Sequence, residues 1–387
     1  MKKITTPYSP MYFLWALGSG WLAVTFFMYL MFVTKHDTPI PTFDSLAIYF
    51  HNSDIWFMIL IILAAFWIIY YAIKHILFLI WNLKQYLIFK KSKEYKKLKT
   101  TNAEVTLMTL PLTLAMSMNV LFILAAIFIP GLWSVIEYIF PLAIIWFLAI
   151  WYLAISIFGE YFTRLITKGD FDFVANNNLS QMLAVFAFAM IWVGLAAPAA
   201  MSHSVTTSSI ALLWSMFFIT TAIFFGVIKM VLGFKSIFRQ GLSVEASPSI
   251  WIIIPLITLI WIAFVRQQHG LNHSFDVQFS TGNLFVLTSI LLSLQIIFWY
   301  LGYKVLKANK YFKKYIHWDK NSPGSYSLIC PGVALFVFGF FFLHLWLVKT
   351  WIVDKFWIIY FILLLPLIYL QIKTVLTLKR INKKLFV

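Results

Sequence analysis

The sequence predicts an all-α integral membrane protein, and its composition, the length of its apolar runs and their pattern indicate that class. Hydrophobic residues make up 62% of the 387 residues and charged residues only 11%, whereas soluble domains carry roughly 25% charged residues. Each apolar run reaches about 20 residues, the length that a helix needs to cross hydrocarbon, and none shows the alternation of barrel strands. We therefore expect one helical transmembrane domain over residues 1–387.

Ten apolar runs predict ten transmembrane helices. Taken in pairs, they form five helical hairpins, so the internal repeat is one of architecture rather than of sequence. The links at 130–131 and 202–205 are short enough to require tight antiparallel turns. The expected spans are 9–33, 55–80, 104–129, 133–158, 179–202, 206–233, 247–266, 280–305, 324–348 and 356–379.

The distribution of positive charge predicts the orientation of the chain. Its net charge is +17, and 26 of the 30 Lys and Arg residues fall on the side of the termini in this topology. The positive-inside rule then places both termini in the cytoplasm and explains the charge without nucleic acid. No cleavage site follows Met1-Lys2-Lys3, so we expect a multi-pass protein of a bacterial inner membrane whose first helix is retained.

Helix breakers and small polar residues concentrate in the first helix of each hairpin. Proline removes a backbone donor, which hydrocarbon cannot replace but a neighbouring helix or a water-filled cavity can. We therefore expect five proline-kinked inner helices around a central pore and five bulkier outer helices, although Pro141 and Pro366 interrupt the contrast. The breaker-bearing positions include Pro10, Ser19, Pro111, Thr113, Asn119, Pro198, Pro255, Thr258, Ser327, Pro331 and Gly332.

Three inner helices begin with a Ser-Pro pair, at Ser9-Pro10, Ser247-Pro248 and Ser322-Pro323. Serine before a proline at the first helical position is a common N-cap. The same starts would also present backbone N–H groups and a positive helix end to incoming anions. Both interpretations can hold together.

Residues for metal, redox or acid–base chemistry are sparse within the spans. The eight histidines do not form a ligand set, and the lone Cys330 excludes an intrachain disulfide. No carboxylate lies at mid-span, so a proton relay lacks its usual acids. We expect no cofactor, no metal and no enzymatic activity.

Two polar residues of the inner helices invite opposed interpretations. Arg266, at the outer end of the seventh span, either concentrates anions at the outer mouth or anchors the helix at the interface. Asn119 either faces the pore or forms an interhelical hydrogen bond, which is the usual reason for Gln295 as well. Neutral hydroxyls, no buried acids and no potassium-filter sequence together favour anions.

The segment Ser247-Pro248-Ser249-Ile250-Trp251-Ile252-Ile253-Ile254-Pro255-Leu256 and the ninth-helix sequence Cys330-Pro331-Gly332, within the ten-helix plan, resemble one known family. That family contains the plant slow-type guard-cell anion channels, bacterial tellurite-resistance and dicarboxylate transporters, and fungal sulfite pumps. The resemblance covers residues 9–380. It implies five odd-numbered helices around an anion pore, an outer ring of even-numbered helices, and a homotrimer with one pore in each protomer.

The resemblance also implies a phenylalanine plug immediately before the ninth-helix proline, and here the chain departs from the family. Cys330 occupies that position. Either the pore is more open or another bulky residue closes it, and Phe336 and Phe338 follow on the same helix. The long basic loops are larger than the compact bacterial pattern and indicate a divergent subfamily.

The leading functional hypothesis is an anion channel or transporter for small inorganic anions, sulfur oxyanions or small carboxylates. The alternative is a cofactor-free membrane anchor of a respiratory redox complex. The expected partners are small anions, the lipid bilayer and further copies of the chain. The pore-lining or gate candidates are Ser19, Pro111, Thr113, Asn119, Pro198, Pro255, Thr258, Ser327, Cys330, Pro331, Gly332, Phe336 and Phe338, with Arg266 as the anion-attracting residue.

Overall fold

A computed structural model describes residues 4–51, 55–277, 280–317 and 320–386. The expected N-terminal segment Met1-Lys2-Lys3 and small parts of three expected connections lie outside these residues. Throughout the described ranges the chain is helical, and its one β-type contact is an isolated antiparallel bridge between Ile4 and Phe386. This bridge brings the two ends of the chain together.

The described chain contains twelve α-helices, and ten of them, some together with adjoining 3₁₀ or π segments, form spans long and apolar enough to cross a membrane. The prediction of ten helical spans is therefore confirmed. The helices are α1 (Phe13–Val33), α2 (Phe43–His51), α3 (Ile55–Phe89), α4 (Lys93–Leu98), α5 (Thr109–Phe128), α6 (Leu132–Lys168), α7 (Met182–Met201), α8 (Val205–Gln240), α9 (Ile253–Phe275), α10 (Thr281–Ala308), α11 (Ile329–Phe342) and α12 (Ile358–Leu385). The short helices α2 and α4 lie in connections.

Burial alternates along the chain between two classes of spanning helix. Each span contains an 18-residue apolar stretch. Between 61% and 94% of that stretch is buried in α1, α5, α7, α9 and α11, but only 11% to 28% in α3, α6, α8, α10 and α12. We call the first set the inner helices and the second the outer helices. Small residues in α7, such as Ala187, Ala189 and Gly194, allow its close packing on all sides.

The inner helices contact one another in a closed order. Helix α1 packs against α5, α5 against α7, α7 against α9, α9 against α11, and α11 against α1. Each outer helix packs against the inner helix that precedes it and also touches the next inner helix of that order. The space at the centre is thus bordered by the most buried helices of the chain.

Four inner helices begin as 3₁₀ segments, which cover Pro10–Tyr12, Asn102–Met108, Ser247–Ile252 and Pro323–Leu328. In α5, α9 and α11 the third α-helical residue is proline, at Pro111, Pro255 and Pro331. A proline cannot donate to the carbonyl four residues earlier, and here that lost bond falls where each 3₁₀ segment passes into α geometry. These prolines therefore mark the change from 3₁₀ to α geometry.

The expected serine caps are confirmed at two of three positions. The Ser9 hydroxyl accepts from the Met11 N–H at 3.3 Å, and that of Ser322 accepts from the Gly324 N–H at 3.2 Å. The expectation for Ser247 is wrong, because the 3₁₀ segment already includes this residue. Its hydroxyl donates to the Ser243 carbonyl instead, at 3.0 Å.

Several helices continue well beyond the expected spans. Helix α3 reaches Phe89, α6 reaches Lys168, α8 reaches Gln240 and α12 reaches Leu385. Hydropathy marks where the apolar stretch ends, but lysine, glutamine and arginine are good helix formers and carry the helix on into water. The basic connections are consequently shorter than the sequence indicates.

An ion-pair cluster fastens the start of the third span to the end of α6. Arg164 contacts Glu104 at 2.9 Å and also pairs with Asp170, while Lys99 lies 3.6 Å from Glu104 and pairs with Glu160. Glu104 is buried, so its charge needs these partners. The carboxylates at this end are therefore structural partners of Arg164 and Lys99.

Candidate functional site

A small cavity lies between the inner helices in the half of the bundle remote from the termini. It has a volume of about 120 Å³ and receives side chains from α1, α5, α7, α9 and α11. Its walls are apolar and include Met116, Met190 and Phe341. The space has room for a few water molecules or one small polyatomic anion.

Arg266 of α9 lines this cavity and also a second one of about 140 Å³ that lies farther from the end holding the termini. Its Nη1 donates to the Val193 carbonyl of α7 at 2.9 Å. Among the described residues it makes no ion pair, and neither cavity has a carboxylate in its described lining. A guanidinium has five N–H donors, so this cation keeps donors available to a ligand.

Two further polar groups line the same cavity. The Asn119 amide nitrogen of α5 faces the Met190 sulfur of α7 across 3.6 Å. Trp21 of α1 has a buried indole N–H with no hydrogen-bond partner in the described chain. Cation, amide and indole together form a donor-rich lining, which suits a negatively charged or strongly accepting ligand.

A larger vestibule of about 570 Å³ opens at the end of the bundle that holds the termini. The starts of all five inner spans contribute to it, and its polar lining consists mostly of hydroxyls. Glu245 is the single carboxylate among its described lining residues. The hydroxyl-bearing residues are Thr6, Ser9, Thr106, Ser180, Ser243, Ser249, Ser322 and Ser327.

Packed side chains separate the vestibule from the small cavity. On α7, Leu183 lines the vestibule and Met190 lines the cavity, so the helical period places Phe186 between them on the same face. The Phe186 ring is buried and lies 6.3 Å from the Trp21 ring. Phe186 therefore lies between the two spaces, on the face of α7 that carries Leu183 and Met190.

Cys330 occupies a comparable position on α11. Ser327 lines the vestibule and Val337 lines the cavity, and the spacing 327, 330, 334, 337 follows one helix face. The Cys330 side chain is 2% exposed. That it faces a pore stays a prediction.

The hydroxyls of three predicted pore residues are used between or within helices. Thr113 donates to carbonyls of Phe13 and Thr109, at 3.2 and 2.7 Å, and Ser19 donates to Trp15 at 3.0 Å. The Thr258 hydroxyl lies 3.2 Å from the Ala334 carbonyl and 3.3 Å from that of Ile254, and accepts from Gln295 at 2.7 Å. Within the described lining these three residues contribute to neither the vestibule nor the small cavity.

Other candidates pack against neighbouring helices. Phe336 contacts Tyr29 of α1, with ring centroids 5.8 Å apart, and Phe338 lies 5.1 Å from Trp261 of α9. A side chain at Gly332 would collide with Thr374 of α12, so the glycine permits this close approach. Pro111, Pro198, Pro255 and Pro331 are buried. A role of these residues in a pore stays a prediction.

The described ranges contain no group of three or more His, Cys, Asp or Glu side chains that could hold a metal ion. His75 is held by the Ala16 carbonyl and the Ser117 hydroxyl, both at 2.8 Å. His203, in the turn between α7 and α8, has its Nδ1 atom 3.3 Å from the Nε2 atom of His273. The histidines are thus placed singly or in a pair.

Sequence reasoning selected Arg266, Asn119 and Ser327 among the lining residues but missed Trp21 in that lining and Phe186 between the two spaces. Both are aromatic residues in a chain with 40 Phe and 17 Trp, so residue type alone does not separate them from the other aromatic residues. Once the inner helices are identified, the spacing 183, 186, 190 is a usable signal.

No protein-family model, curated protein or solved structure matches this chain. The family resemblance described above therefore stays a prediction.

Proposed function

We propose that this protein moves small anions across the membrane, through the space between its five inner helices. The observation that carries the proposal is Arg266, a cation without a described carboxylate partner in a small cavity bordered by all five of these helices. Asn119 and Trp21 add uncharged donors to the same lining. A cation would be repelled there, whereas an anion gains an opposite charge and hydrogen bonds.

Electrostatics gives the scale of this preference. Opposite unit charges 4 Å apart attract by about 4 kcal/mol at an effective dielectric constant of 20, which is typical of partly buried sites. The gain offsets part of the cost of removing a small anion from water. In this proposal Arg266 therefore lowers the barrier for anions in the small cavity.

The vestibule and the packed layer supply the other two parts of the path. Hydroxyls at the vestibule solvate an anion without holding it tightly. In this proposal Phe186, whose ring lies 6.3 Å from that of Trp21, belongs to a layer of side chains that closes the path. Passage thus requires displacement of that layer, and Phe186 is the bulky side chain that we assign to it.

Flux in proteoliposomes tests the proposal, using chloride, nitrate, sulfite, thiosulfate and dicarboxylates. Wild-type protein should pass at least one of these anions, and Arg266→Gln should slow that flux about tenfold or more, since 1.4 kcal/mol changes a rate tenfold. Arg266→Lys, which keeps the charge, should retain most of it. Lys349→Gln is the matched control, because Lys349 is an exposed cation at the same end of the bundle.

A second variant addresses the closed layer. Phe186→Ala should raise anion flux severalfold while the order of preference among anions stays the same. Equal flux in wild type and Arg266→Gln, with both folded, would contradict the anion path. Copurification of a redox subunit or quinone, without any anion flux, would favour the membrane-anchor alternative.

A further inference from the structure

A groove on the outside of the bundle lies over α1, between the first and last outer helices. It has a volume of about 590 Å³. From α3 come Lys74, Leu77, Phe78 and Trp81, and from α12 and its end come Lys379, Asn382, Lys383 and Phe386. Both sets follow the spacing i, i+3, i+4, i+7, which places each on one helix face. The two faces therefore form the walls of a single groove.

Aromatic rings form the floor of this groove. Trp15 of α1 stacks on Phe78 with centroids 3.3 Å apart and lies 4.0 Å from Phe386. Trp81 closes the other side, 5.4 Å from Phe386. The Trp15 indole N–H is buried and has no hydrogen-bond partner among the described residues. The floor is thus apolar but offers one unused donor.

Three lysines form the rim. Lys379 and Lys383 are exposed, and Lys74 is partly buried over the rings of Tyr70 and Phe78, at 5.5 and 5.6 Å. No carboxylate lines the groove, and none of the three lysines has an ion pair within the described chain. The rim is therefore a local excess of positive charge above an apolar floor.

The surroundings of the groove are those of a surface in contact with hydrocarbon. Leu77 is 53% exposed, and Ile73, Ile76 and Leu376 beside it are also exposed apolar side chains on the two outer helices. The groove lies toward the end that holds the termini and most of the lysines. An occupant must consequently combine an acyl chain with an anionic head group.

We infer that this groove is a binding site for an anionic glycerophospholipid, with its phosphate between Lys74, Lys379 and Lys383 and an acyl chain along Leu77 and Phe78. Basic pockets between membrane helices recognise phosphate head groups in this way. The inference does not depend on the proposed anion path.

A lipid bound in this groove would also contact residues that hold the start of the ninth span. Asn382 of the groove accepts a hydrogen bond from the Tyr326 hydroxyl at 2.8 Å, and Tyr326 lies in the 3₁₀ segment before α11. The Trp15 ring stacks 5.9 Å from the Tyr326 ring. A lipid in the groove therefore contacts residues that position one of the vestibule walls.

Native mass spectrometry of the purified full chain, titrated with phosphatidylglycerol or phosphatidylcholine, tests the inference. Wild type should retain phosphatidylglycerol in preference. Each lysine near a membrane surface is worth roughly a factor of five for anionic lipid. The triple variant Lys74→Gln, Lys379→Gln, Lys383→Gln should therefore lose about a hundredfold in phosphatidylglycerol affinity, with little change for phosphatidylcholine.

Controls separate the groove from general surface charge. The triple variant Lys90→Gln, Lys91→Gln, Lys93→Gln removes the same charge beyond the end of α3 and should keep the preference. If the groove triple fails to fold, the exposed pair Lys379→Gln, Lys383→Gln should still lose roughly twenty-five-fold. An equal loss in both triples, or no loss in the groove variants, would overturn the site.

Inorganic phosphate distinguishes the lipid from a free anion. Phosphatidylglycerol that remains bound in millimolar inorganic phosphate supports a site that needs the acyl chain. Displacement of the lipid by inorganic phosphate at that concentration would show that the lysines bind a free anion, and would overturn the lipid assignment.

Discussion

Thr258→Val tests whether a predicted pore residue is structural. The Thr258 hydroxyl accepts from Gln295 of α10 at 2.7 Å and lies within hydrogen-bond distance of carbonyls on α9 and α11. Valine keeps the shape and removes the hydroxyl. Gln295 retains its bond to the Ile254 carbonyl at 3.2 Å, so the variant does not leave the amide nitrogen without a partner.

The expected cost follows from measured polar contacts in membranes. Interhelical hydrogen bonds there average about 0.6 kcal/mol and reach about 1.7. The Thr258 hydroxyl takes part in both a donor and an acceptor contact, so we expect the free energy of unfolding to fall by about 1 kcal/mol. For a chain of this size that corresponds to a fall of about 1–3 °C in melting temperature. Anion flux per folded molecule should not change.

The assay is thermal melting in detergent followed by size-exclusion chromatography, together with flux at equal reconstituted amounts. Gln295→Leu and the double variant complete a cycle whose coupling free energy should be about 0.6 kcal/mol. A variant of normal stability with strongly reduced flux would refute this reasoning. Thr258 would then act on the permeating ion and not on the packing of three helices.

Three further outcomes can be checked independently. A reporter fused after Val387, which lies outside the described residues, should show a cytoplasmic C-terminus, and an external signal would invert the topology. Cys330→Ala should leave flux nearly unchanged, whereas Cys330→Phe should block it if the thiol faces the path; a freely conducting phenylalanine variant would place the closure elsewhere. Gly194→Ala should cost about 1–3 kcal/mol in a melting assay because the added methyl would collide with the buried Phe147 ring, and an unchanged melting temperature would contradict that packing.

The division into inner and outer helices shows how far sequence reasoning extends. Apolar length predicted ten spans, and breaker content selected as inner helices the five that the structure buries most. The direction in which a side chain points was harder to predict. Gly332 was selected as a breaker, yet it provides room for Thr374 of an outer helix. A helix packed on every side needs small or polar residues on more than one face, so residue type alone does not identify the central one.

Arg266 and Phe186 show which kind of site residue can be identified from the sequence and which cannot. Arginine is rare within apolar spans, so Arg266 stood out against its surroundings. Phe186 was indistinguishable from the other phenylalanines until Leu183 in the vestibule and Met190 in the small cavity showed which face of α7 borders both. A charged residue within an apolar span can therefore be identified from the sequence. The position of one phenylalanine between two spaces can be identified only once the neighbouring helices are known.

The 3₁₀ starts of the inner helices have a consequence for their length. A 3₁₀-helix rises about 2.0 Å per residue and an α-helix about 1.5 Å, so winding the six residues Ser247–Ile252 into α form would shorten the span by about 3 Å. In that form the Trp251 carbonyl would need the nitrogen of residue 255, which is a proline and has no hydrogen to donate. Pro111 and Pro331 impose the same condition on their own helices. The three prolines therefore each remove one hydrogen bond that would favour the shorter α form, and so favour the longer 3₁₀ form at the vestibule.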